Sequence, residues 1–171
     1  MAKALMVVDV QFSMFFGDWA LPDANPLLRA IGDRILKARD AGELVIHVQN
    51  DGPEDEADAP GLPMWELVFA PTAQELVARK TTMNVFESNP ELVAELRGRA
   101  IDELEIIGVQ SELCLRSSAL GALSHGFKIF VPAGLHSTYD GGYPGATSGP
   151  SASELSRQVQ IELEAAMENL A

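Results

Sequence analysis

Hydrophobic positions along this chain follow two alternating patterns. Short runs rich in branched aliphatic residues, at positions 5–8 and 44–48 for example, have the length and composition of buried strands. Longer segments between them carry apolar residues three and four positions apart, the spacing of an amphipathic helix. Strands that alternate with helices predict βαβ units, so the fold class is α/β with a parallel sheet.

The two patterns define an ordered set of elements. Strands are predicted at residues 5–8, 44–48, 75–79, 104–107 and 128–131, and helices at 26–41, 90–98, 114–125 and 153–170. Asn25, and Ser88 or Asn89, are the expected helix caps. Residues 51–63 are expected to form an exposed loop whose acidic residues, with Asp58 among them, lie in solvent. The glycine-rich residues 139–150 form a second loop and a candidate lid, and residues 1–171 read as a single domain.

Composition and charge narrow the class of protein. The chain has 171 residues, 47% of them hydrophobic, and a formal net charge of −13. The negative charge argues against nucleic acid and against an anionic membrane surface as partners. Asp9 interrupts the apolar N-terminal run after a few residues, which is too short for a signal peptide or a membrane span. We therefore expect a soluble cytoplasmic protein, and its single cysteine excludes an internal disulfide.

Three reactive side chains follow predicted strands. Asp9 ends the first strand, Lys80 follows the third and Cys114 lies just past the fourth, near the start of a helix. Carboxyl ends of parallel strands meet at one edge of a sheet, so these groups are expected to converge. Unpaired N–H groups and the helix dipole favour negative charge at a helix start. On this basis the thiol of Cys114 is expected to lose its proton readily.

A carboxylate, an ammonium group and a thiol at one edge of a sheet could together perform nucleophilic catalysis. The carboxylate can accept the thiol proton, and the ammonium can stabilise the resulting negative charge, which is a thiol hydrolase without histidine. The alternative is structural, because a lone cysteine often fills a core and strand-end charges often serve as solvated caps.

The sequence around these residues resembles the isochorismatase-like cysteine hydrolase superfamily. The resemblance rests on residues 6–11 with Asp9, on Lys80, and on residues 108–114 ending at Cys114, and it extends over residues 5–138. That superfamily includes nicotinamidases, N-carbamoylsarcosine amidase and streptothricin hydrolase. It implies a three-layer α/β/α sandwich with a parallel sheet of five to six strands in the order 3-2-1-4-5. Loop 51–67 and the spacing of Gln110, Glu112 and Cys114 lean toward the streptothricin-hydrolase-like branch.

The resemblance also implies roles for individual residues. Asp9, Lys80 and Cys114 would form a catalytic triad, and a cis peptide bond would join Val109 to Gln110. The backbone N–H groups of Gln110 and Cys114 would form an oxyanion hole. Members of the superfamily are commonly homo-oligomers, so a dimer or larger assembly is expected.

Four aromatic residues are candidate substrate contacts. Phe15 and Trp19 follow Asp9 in the first loop, and Trp65 and Phe86 are placed on the opposite side. Ligand pockets are mostly apolar, which suits an aromatic wall around a small planar amide. The competing interpretation of the Phe15 and Trp19 segment is a hydrophobic plug over the core.

No metal or other cofactor is predicted. Some superfamily members bind a metal through an aspartate and two histidines, whereas here only Asp51 lies in a suitable region, beside Asn50. His47, His125 and His136 do not share a ligand spacing and are read as structural.

The favoured function is hydrolysis of a C–N bond in a small amide, lactam or ureido compound through a thioester on Cys114. An alternative within the superfamily is vinyl-ether hydrolysis of isochorismate, against which the presence of Cys114 argues. A second alternative is a non-catalytic module that retains the fold, and a flavodoxin-like cofactor binder is more distant. Arg116, which departs from the family pattern, either selects a substrate carboxylate or faces solvent.

Overall fold

A computed structural model describes residues 2–169 as six strands surrounded by helices. The strands are β1 (Ala2–Val8), β2 (Leu44–Asn50), β3 (Leu76–Lys80), β4 (Ile101–Val109), β5 (Lys128–Phe130) and β6 (His136–Ser137). The helices are α1 (Phe12–Phe15), α2 (Ala24–Asp40), α3 (Val85–Ser88), α4 (Leu92–Gly98), α5 (Arg116–Ser124) and α6 (Ala152–Glu168). A π-helical turn (Ser111–Leu115) precedes α5, and short 3₁₀ turns lie at Pro63–Trp65 and Asp140–Gly142.

All strand pairs are parallel, and the sheet order is β3-β2-β1-β4-β5, with β6 also paired to β4. The predicted fold class and strand order are therefore confirmed. Val8, the last residue of β1, lies beside Val48 on one side and Gly108 on the other. The residues that follow these strands consequently emerge close together at one edge.

Both faces of the sheet are covered. Met6 and Val8 of β1 belong to one apolar cluster, which also contains residues of α3, α4, α5 and α6. Leu5 and Val7 belong to the other, which contains the buried face of α2. Because side chains alternate along a strand, one central strand contributes to two separate cores, as a three-layer sandwich requires.

Gly108 permits the close pairing of the two central strands at the site edge. Its φ is +119°, and a Cβ at this position would lie 2.1 Å from the backbone oxygen of Val8. Only glycine combines this backbone conformation with so close an approach. The sequence thus places glycine where β4 turns toward Cys114.

Several predicted boundaries are wrong. Helix α2 begins at Ala24, so Asn25 lies inside it and Asp23 occupies the N-cap position. Helix α3 was not predicted; the side chain of Asn84 caps it by accepting from the N–H of Phe86 at 3.1 Å. Ser88 and Asn89 are accordingly not the cap of α4, whose N-cap is Glu91.

Loop 51–63 is not wholly exposed. Asp58 is only 8% exposed, and one of its carboxylate oxygens accepts a hydrogen bond from Asn50 at 2.8 Å. The expectation that Asp58 lies in solvent is therefore wrong, because a side-chain partner holds it inward. Among residues 2–169, no helix is both long enough and apolar enough to cross a membrane. The predicted end of the last helix, at residue 170, lies outside the described residues.

Candidate active site

The three strand-end groups meet as the sequence predicts. The ammonium Nζ of Lys80 lies 2.9 Å from Oδ2 of Asp9 and donates to Sγ of Cys114 at 3.2 Å. Lys80 and Asp9 are 1% and 4% exposed. A lysine this deeply buried requires a paired anion. Asp9 supplies that anion, and Lys80 contacts both the carboxylate and the thiol.

Asp9 leaves β1 in an uncommon backbone conformation. Its φ is +51°, a left-handed region that aspartate and asparagine tolerate better than most residues. The N–H of Asp9 still donates to the carbonyl of Val48 at 3.0 Å, so the strand end is fixed on β2. Oδ1 of the same carboxylate is buried and has no donor at regular hydrogen-bond geometry among the described residues, while the Cys114 thiol is near enough to the carboxylate to oppose the rise that burial causes in the pKa of Asp9.

Cys114 lies in the π-helical turn that links β4 to α5. A cis peptide bond joins Val109 to Gln110 immediately before this turn, which confirms that expectation. Ser111, at the start of the turn, is fully buried, and its hydroxyl contacts Nδ1 of His136 at 2.8 Å and the hydroxyl of Ser156 at 2.9 Å. His136 is therefore structural, as the sequence suggested, and its structural task is to anchor the turn that carries the thiol.

The thiol is less acidic than the sequence suggested. Burial first and the negative charge of Asp9 second raise the pKa of Cys114 to about 12, while Lys80 acts in the opposite direction. The expectation of a readily ionised thiol is therefore wrong for the resting protein. A helix start does favour a thiolate, but desolvation and a neighbouring carboxylate outweigh that effect here.

The pKa values of Asp9 and Lys80 are shifted as well. Burial raises the pKa of Asp9 above its ordinary value of 3.8, although the Lys80 charge opposes the change. Burial lowers the pKa of Lys80, but the charges of Asp9 and Cys114 more than offset this, and the net pKa is raised. Lys80 therefore stays protonated, and its single positive charge balances one negative charge shared between carboxylate and sulfur.

Asn50 joins Asp9, Lys80 and Cys114 in the site, although the sequence points to it only as a neighbour of a possible metal ligand. Its Oδ1 accepts a hydrogen bond from Nζ of Lys80 at 3.0 Å. The amide of Gln11 holds the backbone of Asn50 at two points, accepting from its N–H at 2.8 Å and donating to its carbonyl at 3.0 Å. The signal for Asn50 was present, because it ends β2 at the same edge as the other three residues.

The four aromatic candidates occupy different surroundings. Phe15 and Phe86 are 4% and 3% exposed and belong to the two core clusters. The ring of Phe86 lies 6.1 Å from that of Phe127 and 5.5 Å from that of His125, beyond the far end of α5. These contacts favour a packing role for both phenylalanines, in place of the substrate contact that was expected.

The two tryptophans lie nearer the surface. Nε1 of Trp65 donates to Asp51 at 2.9 Å, and the guanidinium of Arg79 lies 5.0 Å from its ring centre. Trp19 is exposed and borders a cavity of about 190 Å³ between the first loop and loop 51–63. The cavity is lined by Ser13, Phe16, Gly17, Asp18, Trp19, Ala57 and Met64.

Residues 2–169 offer no ready metal site. The carboxylate of Asp51 accepts hydrogen bonds from Arg79 at 2.7–3.0 Å as well as from Trp65. Within the same residues, no group of three or more His, Cys, Asp or Glu side chains is arranged to hold an ion. His47, in β2, contacts Glu75 at 3.0 Å, and both side chains are buried. The described residues therefore do not fit the site of one aspartate and two histidines that the resemblance implies for some members of the superfamily.

Arg116, left open by the sequence, forms an ion pair with Glu162 of α6. Its guanidinium is thereby held against the outer helix. This contact accounts for the side chain without a substrate carboxylate.

Comparison with known proteins identifies the family. The sequence model of the isochorismatase domain matches residues 3–145. A streptothricin hydrolase from Streptomyces noursei is 42% identical over 140 residues, which are 81% of this chain and 55% of that protein. The chain thus spans about half the length of the curated streptothricin hydrolases that it matches.

Solved structures share the fold. N-carbamoylsarcosine amidase from Thermoplasma acidophilum superposes with a TM-score of 0.72 at 26% identity, covering 80% of this chain and 84% of that one. An isochorismatase from Pseudomonas putida KT2440 gives a TM-score of 0.84 at 20% identity, covering 95% and 83%. The family match, the strand order and the cis peptide bond agree with one another. The chain belongs to the isochorismatase family.

Proposed function

We propose that this protein hydrolyses a C–N bond in a small amide-like compound, with Cys114 as nucleophile, Asp9 as proton carrier and Lys80 as electrostatic partner. The observation that carries the proposal is the single ammonium group of Lys80, within hydrogen-bonding distance of both Asp9 and Cys114. A buried arrangement of base, cation and thiol has no structural task that an apolar cluster would not perform as well.

The first step moves a proton from sulfur to carboxylate. Oδ1 of Asp9 has no donor at regular hydrogen-bond geometry among the described residues, and its carboxyl has a raised pKa, so it is suited to accept the Cys114 proton. The thiolate then attacks the carbonyl carbon of the substrate. The negative charge moves from carboxylate to sulfur and on to the carbonyl oxygen, while Lys80 remains protonated beside it.

The second step breaks the C–N bond. Protonated Asp9 gives its proton to the leaving nitrogen as the tetrahedral species collapses, which leaves a thioester on Cys114. A water molecule, deprotonated by Asp9, attacks the thioester carbon and releases a carboxylic acid and the free thiol. In both steps the N–H groups of Gln110 and Cys114 would bind the negative oxygen, and removing one such donor costs about a hundredfold or more in rate.

Buried side-chain oxygens without partners, on segments that follow the strands, favour a substrate that carries N–H groups. Four buried side-chain oxygens in residues 2–169 lack a partner, and all four lie on segments that leave the carboxyl edge of the sheet. They are Asp9 Oδ1, Ser13 Oγ, Asp58 Oδ1 and Glu112 Oε2. Buried polar atoms without partners are uncommon in proteins, and donors of an amide, ureido or lactam substrate would satisfy such atoms.

The relatives support the same chemistry and suggest two substrate classes. One relative is named as a hydrolase of streptothricin and the other as an amidase of N-carbamoylsarcosine, so streptothricin-like lactams and carbamoyl compounds are the first candidates. The substrate would enter from the cytoplasmic solvent as a free small molecule, and a homo-oligomer is proposed as the working assembly.

The test is a panel of small amides, ureas and lactams assayed for release of ammonia or amine. Nicotinamide, a carbamoyl-sarcosine-like compound and a streptothricin-like lactam belong on the panel, and isochorismate is the control for vinyl-ether cleavage. The wild-type protein should release ammonia or an amine from at least one compound, and the Cys114→Ala variant should not. Release of pyruvate from isochorismate alone, or turnover retained by Cys114→Ala, would reject the proposal.

A further inference from the structure

Lys80 has three partners, and the mechanism above uses only two of them. An ammonium group has three hydrogens to donate, and here they are directed to Asp9, Cys114 and Asn50. The bond to Oδ1 of Asn50, at 3.0 Å, is nearly as short as the 2.9 Å contact with Asp9. Asn50 therefore fixes the direction in which Lys80 presents its other two hydrogens.

Asn50 is itself held by a charged residue. Its Nδ2 donates to Oδ2 of Asp58 at 2.8 Å, and Asp58 is nine-tenths buried. The approach of Asp58 depends on Gly52, where a Cβ would lie 1.9 Å from Oδ1 of Asp58. The N–H of Gly52 also donates to the backbone carbonyl of Asp58 at 3.0 Å, so the loop is folded back on β2 at this point.

We propose that Asn50 and Asp58 form a positioning arm for Lys80, a chain of hydrogen bonds from Asp58 through Asn50 to the ammonium that fixes it between Asp9 and Cys114. The carboxylate of Asp58 orients the Asn50 amide, because a carboxylate accepts only from the NH₂ side and so turns the carbonyl toward Lys80. The charge of Asp58 reaches the site through this amide without contacting the ammonium directly.

Three titratable side chains face the ammonium group of Lys80. Asp9 and Cys114 face Lys80 directly, and Asp58 faces it through Asn50. The charge of Asp58 also contributes to the raised pKa of Asp9. If Lys80 loses its third partner, its hold on the sulfur weakens and the thiolate becomes harder to form.

The test uses alkylation of Cys114 by iodoacetamide, which needs no knowledge of the substrate. The chain contains a single cysteine, so the alkylation rate reports on this site alone. Asn50→Leu preserves size but removes both hydrogen bonds. We expect it to react about threefold more slowly, or slower still, across the neutral to alkaline range. A rise of one unit in thiol pKa lowers the thiolate fraction tenfold, partly offset by greater nucleophilicity.

A second variant separates positioning from the cost of an unpaired carboxylate. Asn50→Leu combined with Asp58→Leu removes the whole arm and leaves no buried carboxylate at position 58 without its partner. The double variant should stay as slow as Asn50→Leu, because Lys80 still lacks its third acceptor, whereas recovery of the wild-type rate would show that the unpaired carboxylate of Asp58 caused the loss. Asn89→Leu is the matched control, because Asn89 also donates from its side-chain amide, but both hydrogen bonds go to backbone carbonyls, those of Arg79 and Val85, and not to a side chain of the site.

The outcomes are distinguishable. A wild-type rate in Asn50→Leu, or recovery of the wild-type rate in the double variant, would overturn the proposal. An unfolded variant would be recognised because its exposed thiol would react faster, and the double variant would then decide the question. We also expect Asn50→Leu to lower kcat at constant KM; this expectation rests on the proposed function, whereas the alkylation result does not. If Asn50→Leu is alkylated slowly but the wild-type protein turns over no compound of the panel, the proposed function is rejected and the positioning arm is kept.

Discussion

Replacing Asp9 by Asn should make the thiol of Cys114 more acidic while it abolishes turnover. Asparagine has the size of aspartate and tolerates the left-handed φ of +51° found at this position, so the change removes charge with little backbone cost. In the wild-type protein the Asp9 charge helps to raise the thiol pKa to about 12. Without that charge, Lys80 would balance the sulfur alone.

The size of the effect follows from the proximity of the charges. Both Asp9 and Cys114 lie within hydrogen-bonding distance of the same ammonium, at 2.9 and 3.2 Å. A charge this close shifts a pKa by about 1–3 units. The apparent pKa of Cys114 should therefore fall from about 12 to between about 9 and 11. Burial of the sulfur remains and opposes any further fall.

The assay is a titration of thiolate ultraviolet absorbance, with Cys114→Ala as the blank for tyrosine ionisation. Asp9→Asn should titrate within the accessible alkaline range, whereas the wild-type thiol should still be mostly protonated there. Amide release by the same variant should be lost, because no base receives the thiol proton. An unchanged or higher thiol pKa in Asp9→Asn would refute the reasoning, since it would mean that the carboxylate does not act on the sulfur.

Two further predictions concern stability. Lys80→Met leaves the Asp9 carboxylate buried without its cation and should lower the free energy of unfolding by about 3–5 kcal/mol at pH 7 in urea titrations. The loss should shrink toward pH 4. Without Lys80, which opposes the effect of burial, the pKa of Asp9 in the folded variant should lie further above its ordinary value. Below the ordinary Asp pKa the carboxyl is protonated in both the folded and the unfolded state, and the variant loses stability as the pH rises toward the raised folded pKa. An equal loss at pH 4 and pH 7 would contradict this. Gly108→Ala, whose Cβ would lie 2.1 Å from the Val8 oxygen, should destabilise by more than about 3 kcal/mol or prevent folding. Gly98→Ala, with nothing within 4 Å of the new Cβ, should stabilise slightly, and similar effects of the two glycine substitutions would show that the close contact at position 108 has little weight.

The convergence of parallel strand ends at one edge of the sheet accounts for the part of the site that the sequence predicted correctly. Short aliphatic runs identified the strands, and the direction of a parallel sheet brought Asp9, Lys80 and Cys114 to one edge although they are far apart in sequence. The same convergence applies to Asn50 at the end of β2. The sequence does not predict its role beside Lys80, because an uncharged amide has no acid–base chemistry of its own and its contribution is visible only in the hydrogen bond from Lys80.

Other properties depend on packing that periodicity does not reveal. The pKa of the Cys114 thiol depends on how deeply the π-helical turn buries it, and a helix start alone predicted the opposite shift. From the sequence, Phe86 is expected to close the opposite side of the substrate pocket. Helix α3 instead turns it into the core, where Asn84 caps the helix and the N–H of Val85 donates to Ser118 at 3.2 Å. The acidic neighbours of Asp58 predict a solvated side chain, whereas the hydrogen bond from Asn50 holds it in a buried position.

The central claim is that the substrate becomes covalently attached to Cys114, and intact-protein mass spectrometry tests it most directly. Wild-type protein quenched in acid during turnover of a compound from the panel should carry one added acyl group, located on the peptide that contains Cys114. The adduct should disappear as the substrate is exhausted and should be absent from Cys114→Ala. Turnover without any acyl adduct on this peptide, or an adduct on another residue, would contradict the account.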